Sequence, residues 1–186
     1  MDALIERVRA LLAEKTDPVI VGIDGDCCSG KTTLAARLSQ VLDCNIFHAD
    51  DFFLRPAQRT EARLKEPGGN LDRERLLAQI LEPLRAGKAV TFQPFSCATM
   101  SLLPSVTMPK KCLNVVEGAY SLHPDLWNMY DLRVFLTAPR EIRLERLRRR
   151  ESDKIDTFLN LWIPLEDEYF RVFDIESRVD IVLSGI

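Results

Sequence analysis

The chain has 186 residues, 46% of them hydrophobic and 28% charged, which suits one globular domain with a single core and excludes a disordered or fibrous chain. Its 25 Lys and Arg against 28 Asp and Glu leave a net charge of -3, so the balance gives no electrostatic ground for a nucleic-acid partner and favours a small ligand. Five cysteines, Cys27, Cys28, Cys44, Cys97 and Cys112, are odd in number and lack paired C-x-x-C spacing, so they read as free thiols.

In chain order, Leu4, Ile5, Val8, Leu11 and Leu12 recur at helical spacing in an opening amphipathic helix that has no signal-peptide apolar block. No apolar run is long enough to span a membrane, and the cytoplasm is the expected compartment. Pro18 to Asp24 is a short β-branched run, as in a strand buried on both faces. A helix is predicted from Lys31 to about Leu42, then strands at 45–48, 113–116, 132–136 and 180–183, with helices over 72–84 and 140–151 between them. Alternation of this kind predicts an α/β fold with a parallel sheet flanked by helices on both faces. The stretch 89–108 breaks the alternation, and Thr91-Phe-Gln-Pro and Ser105-Val-Thr read as a β-hairpin flap.

The strongest motif is Gly25-Asp26-Cys27-Cys28-Ser29-Gly30-Lys31-Thr32, which satisfies G-x-x-x-x-G-K-[ST] between a predicted strand and a predicted helix. A phosphate must be wrapped closely by backbone N–H groups. Gly25 and Gly30 permit that approach, the helix start contributes its positive end, Lys31 adds a charge, and the Thr32 hydroxyl can ligate magnesium. Thr33 follows in the same turn. The direction of the Asp26 carboxylate is left open, because an acid beside a triphosphate is unfavourable unless it turns outward or meets a cation. Cys27 and Cys28 read as small packing residues, although a thiolate near a helix N-terminus is reactive.

Two acidic positions follow at strand ends, where ligands bind in open α/β sheets. One of Asp50 and Asp51, just past the second strand, is expected to face the γ-phosphate, while the other caps the following turn. Glu117 closes a buried strand, where a carboxylate holds magnesium directly or through water. His123 reads as a structural loop residue. Among Arg140, Arg143, Arg146, Arg148, Arg149 and Arg150, pairing with Glu141 and Glu145 accounts for some, and one or two others are expected over ATP as a lid.

From about Val19 to Leu183 the chain resembles the uridine kinase and phosphoribulokinase group of P-loop kinases. The resemblance rests on Ser29-Gly-Lys-Thr-Thr33, on Ala49-Asp-Asp-Phe-Phe53, similar to a D-S-F-Y segment, on Gly69-Asn-Leu-Asp72, similar to N-F-D, and on Val116-Glu-Gly118, similar to F-E-G. Trp162 to Phe170 and Val179 to Leu183 resemble the closing helix and last strand. The resemblance implies one domain over 1–186, with a sheet of about five parallel strands, the hairpin at 89–108 and a lid over 146–160.

It further implies ATP and Mg2+ as cofactors, Asp50 as catalytic base beside Lys31, and Asp72 on acceptor hydroxyls. Thr32, Asp50 and Glu117 are expected around the metal, Arg146 and Arg150 on the nucleotide, and Phe53, Phe95 and Glu117 near the acceptor. The hairpin lacks the tyrosine and histidine that read a pyrimidine in uridine kinases, carrying Gln93 to Met100 instead. The lid between Glu151 and Trp162 is short and has no arginine. The expected acceptor is therefore a polyol-bearing metabolite, with a homo-oligomer left open. The competing expectation is a regulatory NTPase, against which stands the absence of an N-K-x-D base-reading motif.

Overall fold

A computed structural model describes residues 1–185. Five parallel strands form one sheet in the order β2-β7-β1-β8-β9: β1 Val19–Gly25, β2 Cys44–His48, β7 Leu113–Glu117, β8 Leu132–Thr137 and β9 Ile181–Ser184. Every residue of β1 and β7 is buried, as expected of central strands covered on both faces.

The period-2 alternation of β1 divides the core. Val19, Val21 and Ile23 pack with Leu4, Val8 and Leu11 of α1 (Asp2–Glu14) and with Leu34 and Leu38 of α2 (Lys31–Val41). Ile20 faces the other layer, with Phe47, Phe52, Ile80, Phe135 and Tyr169. Gly22 is on that side for lack of room: a Cβ there would lie 2.5 Å from the Leu122 side chain and 2.9 Å from the Tyr130 ring.

The predicted helix over 72–84 forms as Arg73–Leu76, a π turn Leu77–Leu81 and Glu82–Arg85, with Asp72 as N-cap. The flap is two short antiparallel ladders in line, β3 Val90–Phe92 with β6 Val106–Met108, and β4 Phe95–Ser96 with β5 Ser101–Leu102. It is fastened by Phe92, which stacks on Phe52 at 5.6 Å, and by Arg75, which donates to the carbonyls of Gln93 (2.6 Å) and Asp51 (2.8 Å).

The arginine helix Arg140–Arg150 ends at Glu151. The segment that follows, expected as a short lid, is helical almost throughout: Ser152–Lys154, Ile155–Thr157 and Phe158–Trp162 lead into the closing helix Ile163–Phe173. None of the described helices is long and apolar enough to cross a membrane.

Candidate active site

The carboxyl edge of the sheet gathers the chemistry. At the end of β1 the chain turns at Gly25, whose φ of 139° and whose contact with β8 both demand glycine: a Cβ would meet the Leu136 carbonyl oxygen at 2.1 Å. The loop ends at Gly30, φ 108°, which starts α2 and leaves the first N–H groups of that helix without helical partners. Lys31 curls back over the loop, its Nζ donating to the carbonyls of Gly25 (2.6 Å) and Asp26 (3.0 Å). Arg146 grips it from outside through bonds to the carbonyls of Cys28 (3.2 Å) and Ser29 (3.1 Å).

The Asp26 carboxylate turns away from the cradle, accepting from Thr137 Oγ1 at 2.8 Å and lying 3.5 Å from Arg143. Its neighbours Cys27, Cys28, Lys31, Thr32 and Thr33 line a cavity of about 540 Å3, which Asp50, Phe53, Glu117, Arg146 and Arg150 also line. Most of the expected nucleotide and acceptor residues thus share one space. Asp72 and Phe95, expected near the acceptor, are not among the residues that line it. Asp72 is buried, with one oxygen capping the helix at Arg75 N (3.2 Å) and the other facing Arg75 Nε (3.4 Å); Phe95 is buried within β4.

Glu117 is aligned with Ile23 of β1 and His48 of β2, so its carboxylate emerges beside the phosphate loop. Both of its oxygens accept from Thr32 Oγ1, at 3.1 and 3.3 Å, and His48 Nδ1 lies 2.5 Å from Oε1. That hydrogen bond raises the His48 pKa. Asp50 follows in the tight turn Ala49–Phe52, pressed against Gly118, where a Cβ would lie 2.9 Å from Ala49 and 3.4 Å from Asp50 Oδ1. Burial, and then the Glu117 charge, push the Asp50 carboxyl up, while Lys31 opposes them.

A magnesium ion takes oxygen ligands, usually one or two carboxylates completed by phosphate oxygens and water. The Thr32 hydroxyl, Glu117 and Asp50 fit that donor set. Among the described residues no group of three or more His, Cys, Asp and Glu is placed to hold a metal ion.

Three features escaped the sequence reading. Asp24 is fully buried beneath the loop, where its carboxylate accepts from Gly25 N (2.8 Å), Leu122 N (3.1 Å) and Tyr169 OH (3.0 Å); burial still lifts its pKa to about 6. Glu166 of the closing helix reaches the cavity wall and accepts from Cys27 N at 2.9 Å, with burial lifting it to about 7. Trp162 and Phe158, stacked at 5.6 Å, also line the cavity. The helical spacing of Trp162, Glu166 and Tyr169 was a readable sign that one face turns inward.

Cys28 holds φ 60°, rare for a residue with a side chain, and its Sγ lies 3.8 Å from that of Cys27. The Cys27 thiol and then the cations Arg150, Lys31 and Arg146 bring Cys28 down to about 6, while Cys27 itself is pushed up by its bond to Cys28 and by burial.

Comparison with known proteins bears on the family and the fold. The model of a family described as AAA domain matches residues 21–174. A uridine kinase of Brevibacillus brevis is 25% identical over 173 residues, covering 83% of this chain and 80% of that protein. A uridine kinase of Vibrio vulnificus is 27% identical over 158 residues, covering 77% and 73%. Among solved structures, one from Bacillus stearothermophilus described as a possible uridine kinase superposes with a TM-score of 0.70 at 24% identity, covering 97% of this chain and 99% of that one. That last likeness bears on the fold alone.

Proposed function

This chain belongs to the P-loop family that the AAA-domain model describes, as a uridine kinase-like kinase, and from that premise we propose that it phosphorylates a small alcohol with ATP. The observation that carries the reading is the shared cavity: the phosphate loop forms one wall and Asp50, followed by aromatic side chains, forms another. A hydrolytic switch has no need of a buried carboxylate and aromatic side chains set beside the phosphate loop in one cavity.

Lys31, Arg146 and Arg150 compensate the charge of the triphosphate, and the free N–H groups at the start of α2 hold its β-phosphate. Magnesium near Thr32 and Glu117 would neutralise the charge of the transferred phosphoryl group. The acceptor hydroxyl approaches Asp50. Its oxygen forms the new bond to the γ-phosphorus, the bond from that phosphorus to the bridging oxygen breaks, ADP departs, and the hydroxyl proton passes to the Asp50 carboxylate. The elevated Asp50 pKa suits it to accept that proton. The whole chain serves as one kinase domain working in the cytoplasm, with 89–108 as flap and 146–160 as lid.

Coupled ADP release from the purified chain with MgATP, measured with and without nucleosides, sugars and other small alcohols, tests this. Release that rises with one class of alcohol supports a kinase. A slow rate that no alcohol raises, in a protein that binds MgATP, would mark a regulatory NTPase instead.

A further inference from the structure

A second cavity, of about 240 Å3, lies between residues 59–70 and the closing helix. Trp162 lines both spaces, so the two cavities are neighbours across its ring. Its walls are mostly apolar, from Leu64, Tyr120, Leu161, Leu165 and the Trp162 ring. Into this lining are set few polar groups, the usual make-up of a small-molecule site.

One of them is Arg59. Its Nε donates to the Leu54 carbonyl at 3.0 Å, which fixes the plane of the guanidinium. The two terminal nitrogens of that group have no hydrogen-bond partner, and no carboxylate pairs with them, among the described residues. The one acid on the same wall, Glu66, is engaged with Arg73 at 3.0 Å and Arg63 at 3.7 Å. The Trp162 indole N–H is itself buried without a partner among the described residues, so the ring meets the cavity through its apolar surface.

The wall is built rather than incidental. Arg63 donates to the carbonyls of Gly69 and Leu71, both at 3.0 Å, Asn70 accepts from Leu54 N at 3.0 Å, and a Cβ on Gly69 would collide with the Arg63 carbonyl oxygen at 1.9 Å.

We propose that this second cavity is the acceptor subsite and that the acceptor is a small alcohol bearing a carboxylate, which Arg59 binds while Asp50 receives the hydroxyl. The inference rests on the kinase reading above and narrows its substrate class. Two parallel N–H donors of one guanidinium match one planar carboxylate, whereas a dianionic phosphate calls for more positive charge than this wall offers. The apolar lining accounts for the rest of the molecule and disfavours a free sugar or a pyrimidine, whose polar edges would be left unpaired.

The test is calorimetry on the full chain with two hydroxy acids, pantoate and mandelate, against their neutral counterparts pantolactone and mandelamide, and with glycerol 3-phosphate as a phosphate-bearing alcohol. The acids should bind about tenfold or more tightly than the neutral pair, and with MgATP they should release ADP faster. Arg59→Gln should abolish the acid preference, and Arg59→Lys should retain part of it. Equal binding of acid and neutral probes, binding of neither, a preference for glycerol 3-phosphate, or an acid preference that survives Arg59→Gln would each overturn the inference. If Arg59→Gln fails to fold, the wild-type comparison and Arg59→Lys still decide. A MgATP titration run beside them separates the two levels: loss of MgATP binding sinks the kinase reading, whereas MgATP binding with ADP release to neutral alcohols sinks only the acid subsite.

Discussion

At the scale of single residues, Asp50 and Asp51 are neighbours with different surroundings. Asp50 lines the cavity under the influence of Glu117 and Lys31; Asp51 lies outside the lining, and its carbonyl serves Arg75. Asp50→Asn should therefore keep MgATP binding but lower phosphoryl transfer by about 10² to 10⁴, the usual worth of a positioned base, while Asp51→Asn loses far less. Steady-state rates of both variants check this, and greater sensitivity at Asp51 would reverse the assignment. Asp24 allows a prediction about pH. Burial raises it from 3.8 to about 6, so folding takes up a proton; the stability linked to it is complete below about pH 4 and is lost as pH rises through about 6. Asn at this position does not titrate. Urea unfolding should show the wild type losing stability relative to Asp24→Asn between pH 4 and 6, and a gap that stays constant over that range would refute the assigned shift. His123, which burial lowers to about 4, acts with the opposite sign, but it is common to both proteins and cancels in the difference.

At the scale of elements, the phosphate loop, the strand-end acids and the alternation of strands and helices were legible because each is written locally, in consecutive residues with fixed spacing. The role of Asp72 was not, because it depends on Arg75 three residues later and on the flap far along the chain. Glu166 was obscure for the same reason: its partner, the Cys27 N–H, lies 139 residues away. The flap pattern was weak because its ladders are only two or three residues long, and its attachment comes from the Phe92 ring and one buried cation rather than from strand pairing with the main sheet. Arg75 bonds Asp72, Gln93 and Asp51 and sits 4.3 Å over the Phe52 ring. Arg75→Met would leave the buried Asp72 carboxylate with only the backbone N–H at residue 75 and the more distant Arg55 at 3.9 Å, at a cost of up to about 3–5 kcal/mol. Urea denaturation measures that loss, and hydrogen exchange should quicken across residues 90–108. A variant with ordinary stability and a protected flap would show that the ring stack between Phe52 and Phe92 alone fastens it.

At the scale of the whole molecule, nucleotide and fold are coupled through the central strand. β1 carries the core residues of both layers, ends in the phosphate loop, and holds Asp24 against Tyr169 of the closing helix, which also sends Glu166 to the loop. A ligand that orders the loop is thus tied to the sheet and to the closing helix together, and binding should appear as a shift of global unfolding. For a ligand at about 100 times its Kd, linkage gives about 2.7 kcal/mol, which for a chain of this length is a rise in Tm of about 5–10 °C. MgATP should produce that shift in the wild type. In Lys31→Ala it should be nearly absent, because the β- and γ-oxygens lose their nearest cation while the cavity and its other walls persist. The comparison must be made against each protein's own ligand-free Tm, since Lys31 also bonds the carbonyls of Gly25 and Asp26 and its loss changes the resting loop. Scanning calorimetry with and without MgATP reads both effects, and an undiminished shift in Lys31→Ala would place the nucleotide away from this loop.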